Sequence, residues 1–150
     1  MKDRITFKET SPKLVNVLMQ TENYIKKSGI PAKLMELVKY RVSQINGCAY
    51  CLDMHHKEAI HHGETELRLH SLSAWRECPY YTDKERTVLE FTEALTLISE
   101  HQITDGLFET LRSHFSKQEI ADLTLLVNQI NLWNRFMLVY ATTPGNYKVK

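Results

Sequence analysis

The chain has 150 residues, 43% of them hydrophobic and 25% charged, which is the globular range and the size of one domain. Its net charge is +1 with the basic residues dispersed, which excludes the clustered basic face of a nucleic-acid binder. No apolar run is long enough to span a bilayer, and Met1-Lys2-Asp3-Arg4-Ile5-Thr6-Phe7 lacks the apolar core of a signal peptide. The expected compartment is therefore the cytoplasm, where paired cysteines serve metal binding or catalysis rather than static cross-linking.

Residues 1–10 have no clear period and read as an arm. Ser11-Pro12 has the form of an N-cap followed by proline at the first helical position. Leu14, Val17, Leu18 and Ile25 then recur at helical spacing, and Gly29 ends the run. Pro31 opens a second helix, in which Leu34, Val38, Arg41, Val42 and Ile45 keep the helical rhythm until Gly47. A third helix runs from about Cys48 to Gly63. A shorter one is expected from Thr65 to about Trp75, with Leu67, Leu72 and Trp75 as its apolar residues, before a loop at Cys78-Pro79.

Thr82-Asp83-Lys84-Glu85 is a capping box, hydroxyl first and carboxylate three residues later. The helix it begins is expected to bury Val88, Leu89, Phe91, Leu95 and Ile98. Thr104 caps another, carrying Leu107, Phe108, Leu111 and Phe115. Ser116-Lys117-Gln118-Glu119 is a second capping box, and the long last helix follows from Lys117 to about Thr142, where Pro144-Gly145 ends it. Leu123, Leu126, Val127, Ile130, Trp133, Phe136, Met137 and Val139 spread over nearly every face of this helix, which marks it as central or interfacial. Asn128, Gln129, Asn131, Asn134 and Arg135 interrupt it too often for a membrane span. No segment alternates with period two. The expected fold class is all-α: a single domain over 1–150, a bundle of about seven helices, with a core motif at 34–63 and the long helix at about 117–142.

One internal echo stands out. Val42-Ser43-Gln44-Ile45-Asn46 recurs as Val127-Asn128-Gln129-Ile130-Asn131, and at the same offset Cys48, Cys51 and His55 correspond to Trp133, Phe136 and Tyr140. Two readings are open: a duplicated helical unit in which one copy lost its chemistry, or coincidence between amphipathic helices.

The segment from Asn46 to His55 holds two of the three cysteines and a histidine four residues after the second. On a helix beginning at Cys48, residues turn by about 100° each, so Cys51 lies about 60° from Cys48 and His55 about 20° from it. All three form one stripe. They also sit at a helix N-terminus, where unpaired backbone N–H groups and the dipole favour thiolate over thiol. The spacing thus supplies a nucleophile, a second thiol to close a disulfide, and a base. The plainer reading makes Cys48 and Cys51 small hydrophobes in a helix contact. A zinc site is the other rival, with Cys78, His56, His61 or His62 as a fourth ligand, although structural zinc usually draws on two separated pairs. His56, His61, His62, His70, His101 and His114 have no sequence partners and read as exposed helical histidines; Cys78 reads as a bystander. Asp53, in the first turn, is expected to serve the helix dipole.

Leu37-Val38-Lys39-Tyr40-Arg41-Val42-Ser43-Gln44-Ile45-Asn46-Gly47-Cys48-Ala49-Tyr50-Cys51-Leu52-Asp53-Met54-His55, preceded by Glu36, resembles the core of the carboxymuconolactone decarboxylase superfamily. More narrowly it resembles the alkylhydroperoxidase D-like branch, which keeps a glutamate upstream of C-x-x-C-x-x-x-His. Ala74-Trp75-Arg76-Glu77 and Ile130-Asn131-Leu132-Trp133-Asn134-Arg135 are similar to that branch as well. The resemblance implies an all-helical fold, assembly as a trimer or hexamer, and an oxidoreductase of the alkylhydroperoxidase or peroxiredoxin type. It implies Cys51 as the peroxide-attacking thiol, Cys48 as the resolving thiol, and His55 with Glu36 as a proton relay. Without it, Glu36 reads as a surface residue on a polar helix edge beside Lys39. One departure is Tyr50, which stands where some members have histidine.

The implied chemistry needs no metal, flavin or haem, only a small hydroperoxide and an external dithiol, from a thioredoxin-like or lipoyl-bearing protein reductant. A disulfide oxidoreductase or thiol sensor with little peroxidase turnover is the first alternative, and a non-catalytic oligomeric binding module is the second. Neither a nucleic-acid nor a membrane partner is expected.

Overall fold

The computed structural model describes residues 3–149. Among these, seven α-helices form and no strand: α1 (Pro12–Lys26), α2 (Ala32–Asn46), α3 (Ala49–His61), α4 (Glu66–Ser71), α5 (Asp83–Thr96), α6 (Asp105–His114) and α7 (Lys117–Tyr140). Single 3₁₀ turns lie at Phe7–Glu9 and Leu72–Glu77. The all-α expectation holds, and so do its punctuation marks. Ser11 caps α1 with Pro12 behind it, and the boxes Thr82/Glu85 and Ser116/Glu119 close α5 and α7. None of these helices is long and apolar enough to cross a membrane.

Helix α2 is the axis of the molecule, packed against α3, α5 and α7. Val38 and Val42 on α2 meet Val88 on α5 and Leu123, Leu126, Val127 and Ile130 on α7, all essentially without solvent exposure. Each such side chain contributes about 1.5–3 kcal/mol by leaving water. A second cluster gathers Leu37, Ala59, Leu69, Leu72, Trp75, Tyr81 and Leu89 on another side of α2. A third holds Cys48, Cys51 and Met137, flanked by Phe7, Tyr50, Trp133 and Phe136.

Of the polar interruptions of α7, Asn128 and Arg135 face solvent, whereas Asn131 and Asn134 are buried and bonded to α2. Asn46 Nδ2 donates to Asn131 Oδ1 (3.0 Å) and Asn134 Oδ1 (2.9 Å), and Asn134 Nδ2 donates to Ser43 Oγ (3.2 Å). The two echoing segments therefore face one another across the α2–α7 contact. Satisfied polar groups in a core cost little and admit one register only, because a slip would strand them.

Glu93 on α5 is a second buried polar hub. Its carboxylate accepts from Arg41 Nε (2.8 Å), Trp75 Nε1 (2.9 Å) and Arg76. Burial alone would raise this carboxyl, but the hydrogen bonds from Arg76, Trp75 and Arg41 and the charge of Arg41 outweigh it and hold the group below its ordinary value. Glu93→Ala strands Arg41 and the indole N–H. It is expected to cost about 2–4 kcal/mol, the half-exposed Arg76 adding little. Thermal unfolding followed by circular dichroism should show the midpoint falling by roughly 5–15 °C.

Several expectations are corrected. The stretch from Thr65 to Trp75 is not one helix: α4 stops at Ser71 and a 3₁₀ turn follows, with Ala74 at φ −115°, ψ 27°. The tighter turn brings Trp75 inward to its acceptor on α5, and a buried indole N–H needs one. Leu67 is left 64% exposed. Helix α5 ends at Thr96, so Ile98 lies past it and is also 64% exposed. Val17 and Phe108 face outward as well, on helix faces that no other element covers. Helix α7 ends at Tyr140, with Ala141 in the left-handed region (φ 54°). The N-terminal arm is structured. Thr6 and Glu9 cap the turn at Phe7–Glu9, Arg4 N–H donates to Tyr140 O (2.8 Å), and the Phe7 ring meets Tyr140 (4.9 Å) and the edge of Trp133 (5.9 Å). Met1, Lys2 and Lys150 lie outside the described residues.

Candidate functional site

The site begins with the turn between α2 and α3. Gly47 adopts φ 65°, a conformation that costs a side-chain-bearing residue energy, and its N–H and that of Cys48 close on Gln44 O and Ser43 O. The chain can then restart as a helix after a single residue. That residue is Cys48, whose sulfur serves as N-cap and accepts from Cys51 N–H (3.4 Å). Cys48 and Cys51 are joined in a disulfide, with Cα atoms 5.3 Å apart, inside the usual span for such a bond.

His55 stands one turn further along α3 and is 3% exposed. Its Nδ1 is 2.7 Å from Glu36 Oε2, across from α2. A buried carboxylate on Nδ1 sets the tautomer, so that Nδ1 donates and Nε2 is left to accept a proton. The expectation that Glu36 lies at the surface is overturned: it is 7% exposed, on the inner face of α2. Its neighbour Lys39 is 4% exposed. Burial pushes the Glu36 carboxyl up, but the hydrogen bond and charge of His55, with the charges of Lys39 and His62, pull it further down, and the net position is below the ordinary 4.5.

The charged chain continues beyond the residues predicted from sequence. Lys39 Nζ is 3.6 Å from Glu36 Oε1 and donates to Glu22 Oε1 on α1 (3.2 Å); Gln129 Nε2 on α7 donates to the other oxygen of Glu22. Four helices thus contribute to one line of groups ending at His55. Glu36 and Lys39 are neighbours by helical spacing, a legible signal. The Glu22 and Gln129 partnerships join residues 17 and 107 positions apart, which no local pattern reveals.

Two cavities meet at this line. One, of about 290 Å³, is walled by Cys51 and His55 and by apolar side chains that include Phe7, Met54, Trp133 and Met137. The other, of about 370 Å³, is more polar and reaches Glu36, Glu58 and His62. Cys51 lines the first cavity and Cys48 lines neither. Tyr50 also lines the apolar cavity, half-buried; burial, helped by the Asp53 carboxylate, raises its phenol above the usual value. A ring at this position adds wall rather than a second imidazole.

Three smaller expectations change. Asp53 does not simply face the helix dipole: it pairs with Lys57 (2.7 Å) and accepts from Gly145 N–H (2.9 Å). His56 is half-buried and has a partner, Glu66 at the start of α4, 2.8 Å from Nε2. His62 Nε2 lies 3.9 Å from Glu58. Cys78 is a free thiol whose sulfur lies 3.4 Å from Ala74 O. No group of three or more His, Cys, Asp or Glu side chains placed to hold a metal ion occurs among the described residues.

Comparison with known proteins bears on this arrangement. Over 138 residues, 92% of this chain and 94% of its relative, the sequence is 42% identical to YdfG of Bacillus subtilis (strain 168), itself uncharacterised. A crystal structure of a protein of unknown function from Agrobacterium tumefaciens, a candidate AhpD antioxidant-defence protein, superposes with a TM-score of 0.92 at 41% identity, covering 97% of this chain and all of that one. The debrominase Bmp8 shares the fold alone, with a TM-score of 0.80 at 18% identity over 90% of this chain and 73% of its own. The helical frame is thus that of AhpD-like proteins, and this chain carries a close cysteine pair on it. Residues 12–94, which contain α1 through most of α5 and every site residue from Glu22 to His55, match the carboxymuconolactone decarboxylase family, and the chain belongs to that family.

Proposed function

We propose that this protein is a thiol peroxidase that reduces hydroperoxides through the Cys48/Cys51 pair. One observation carries the reading. Of the two disulfide-bonded cysteines, Cys51 lines the apolar cavity and Cys48 lines neither of the two described, and Cys51 shares that wall with a histidine held on a buried carboxylate.

The cycle starts from the dithiol. His55 takes the Cys51 proton, and the thiolate attacks the distal peroxide oxygen. The O–O bond breaks, Cys51 becomes a sulfenic acid, and the departing alkoxide takes up the proton and leaves as alcohol. The Cys48 thiol condenses with the sulfenic acid, releasing water and forming the disulfide. An external dithiol then attacks Cys51, the sulfur that lines the cavity, and expels Cys48. A thiolate leaving from Cys48 is stabilised where it stands, by the N–H of Cys51 at the helix start. The N-cap geometry thus favours Cys48 as leaving group, and the activation of Cys51 falls to His55 and Glu36.

The organic chemistry is complete with these residues, a hydroperoxide and a dithiol; no metal, flavin or haem enters it. A thioredoxin-like or lipoyl-bearing protein is the proposed electron donor, the cytoplasm the proposed compartment, and a trimer or hexamer the proposed assembly. The test is a stoichiometric pulse of ethyl hydroperoxide, a compact substrate, on reduced protein. One equivalent of ethanol and a Cys48–Cys51 disulfide in the peptide mass spectrum are expected; unreacted thiols after the pulse would reject the reading.

A further inference from the structure

Six residues line both cavities: Glu22 and Lys26 on α1, Lys39 on α2, Met54 and His55 on α3, and Tyr147. Five of them stand on helices. Tyr147 alone comes from the segment that follows α7, outside every helix.

Specific side chains hold that segment against the helix bearing the cysteines. Gly145 N–H donates to Asp53 (2.9 Å), Lys57 Nζ donates to Tyr147 O (3.0 Å), and the Tyr147 phenol donates to Glu58. Asp53, Lys57 and Glu58 all lie on α3. Further upstream, Thr143 N–H and hydroxyl both donate to Asp3 (3.0 and 2.8 Å), so the strap is also laced to the N-terminal arm that supplies Phe7 to the same cavity. These hydrogen bonds join partly exposed groups, and none of the described residues after Tyr140 is fully buried. Such segments open locally without unfolding the rest.

We infer that Tyr147 is a specificity-determining residue, a movable partition at the cavity wall that limits the size of the reagent reaching Cys51. With the ring in place, the two cavities stay separate and admit compact molecules. With the strap lifted they join, and a bulky hydroperoxide or the arm of a dithiol reductant gains a path to the sulfur. The inference rests on the peroxidase reading only in taking Cys51 as the reacting thiol.

The test therefore measures access first, without peroxide. Reduced wild type, Tyr147→Ala and Tyr147→Trp are alkylated with iodoacetamide and with a pyrenyl maleimide, and modification at Cys51 is followed by fragment-ion mass spectrometry. Tyr147→Ala is expected to raise the bulky-to-small rate ratio about tenfold with the iodoacetamide rate within about twofold, and Tyr147→Trp to lower the ratio. The same ratio in all three proteins would overturn the inference. The two variants act in opposite directions, so general loosening cannot imitate the pattern. Peroxide turnover is then compared for hydrogen peroxide and cumene hydroperoxide. A shifted alkylation ratio without turnover in any variant would reject the peroxidase and leave the partition standing.

Discussion

Cys51→Ser is expected to lower the second-order rate of peroxide consumption by about 10³-fold or more, because the attacking atom is gone and no other thiol lines the cavity. Cys48→Ser should behave differently. Its first turnover survives, one equivalent of alcohol forms, and Cys51 accumulates as a sulfenic acid that dimedone traps and excess peroxide drives to sulfinic acid. Steady-state turnover then stops because no disulfide closes. The contrast assigns the roles: a burst from Cys48→Ser and none from Cys51→Ser. The reverse pattern would transfer the attack to Cys48, whose sulfur the helix N-terminus supports. Stopped-flow measurement with a single equivalent of hydroperoxide distinguishes the two.

Glu36→Gln is expected to cost about 10²-fold in kcat/KM while leaving the cysteine pair able to form its disulfide. The amide keeps the volume, and its oxygen can still accept from His55 Nδ1. What it loses is the charge that favours a proton on the imidazole as Cys51 gives it up. The pH dependence of stability provides an independent readout. In the folded protein the Glu36 carboxyl sits below its ordinary value of 4.5. Its contribution is therefore fully present above that value and is lost as pH falls through the lower, folded value. The stability gap between wild type and Glu36→Gln should be constant near neutrality and shrink in acid below about 4.5, as urea titrations at a series of pH values would show. A gap that widened on acidification would mean that Glu36 is held protonated rather than ionised.

The two predictions divide the site between what a helix can encode locally and what it cannot. Cys48, Cys51 and His55 share a stripe because residues three, four and seven apart on a helix fall on one side, and that arithmetic is visible in the letters alone. Glu36 reaches the same stripe from another helix. Its burial depends on α2 being enclosed by α3, α5 and α7, and a charged residue beside a lysine gives no sign of that. Resemblance to a family named Glu36 as a relay residue; periodicity placed it at the surface. Tyr50 shows the same limit from the other side: its place in the motif was plain, whereas its ring packing beside the cysteine pair required the arm with Phe7 and the end of α7.

The sequence by itself determined the helical class, the caps that start α1, α5 and α7, the glycine that ends α2, and the redox-capable segment at the start of α3. These depend on interactions within a few residues, where the sequence interval fixes the spatial one. The tertiary structure alone decided that Cys51 rather than Cys48 lines the apolar cavity, that Glu36 is buried where it meets His55, and that Lys39, Glu22 and Gln129 extend the charged line. It also decided that both terminal segments lie over the site, through Phe7 and Tyr147. The physical reason is that burial and charge pairing are set by neighbours distant in the chain. The free energy of a buried ion depends on what encloses it, and α7 and the segments at both ends of the chain close over the site from more than 75 positions away in the case of Met137 and Tyr147.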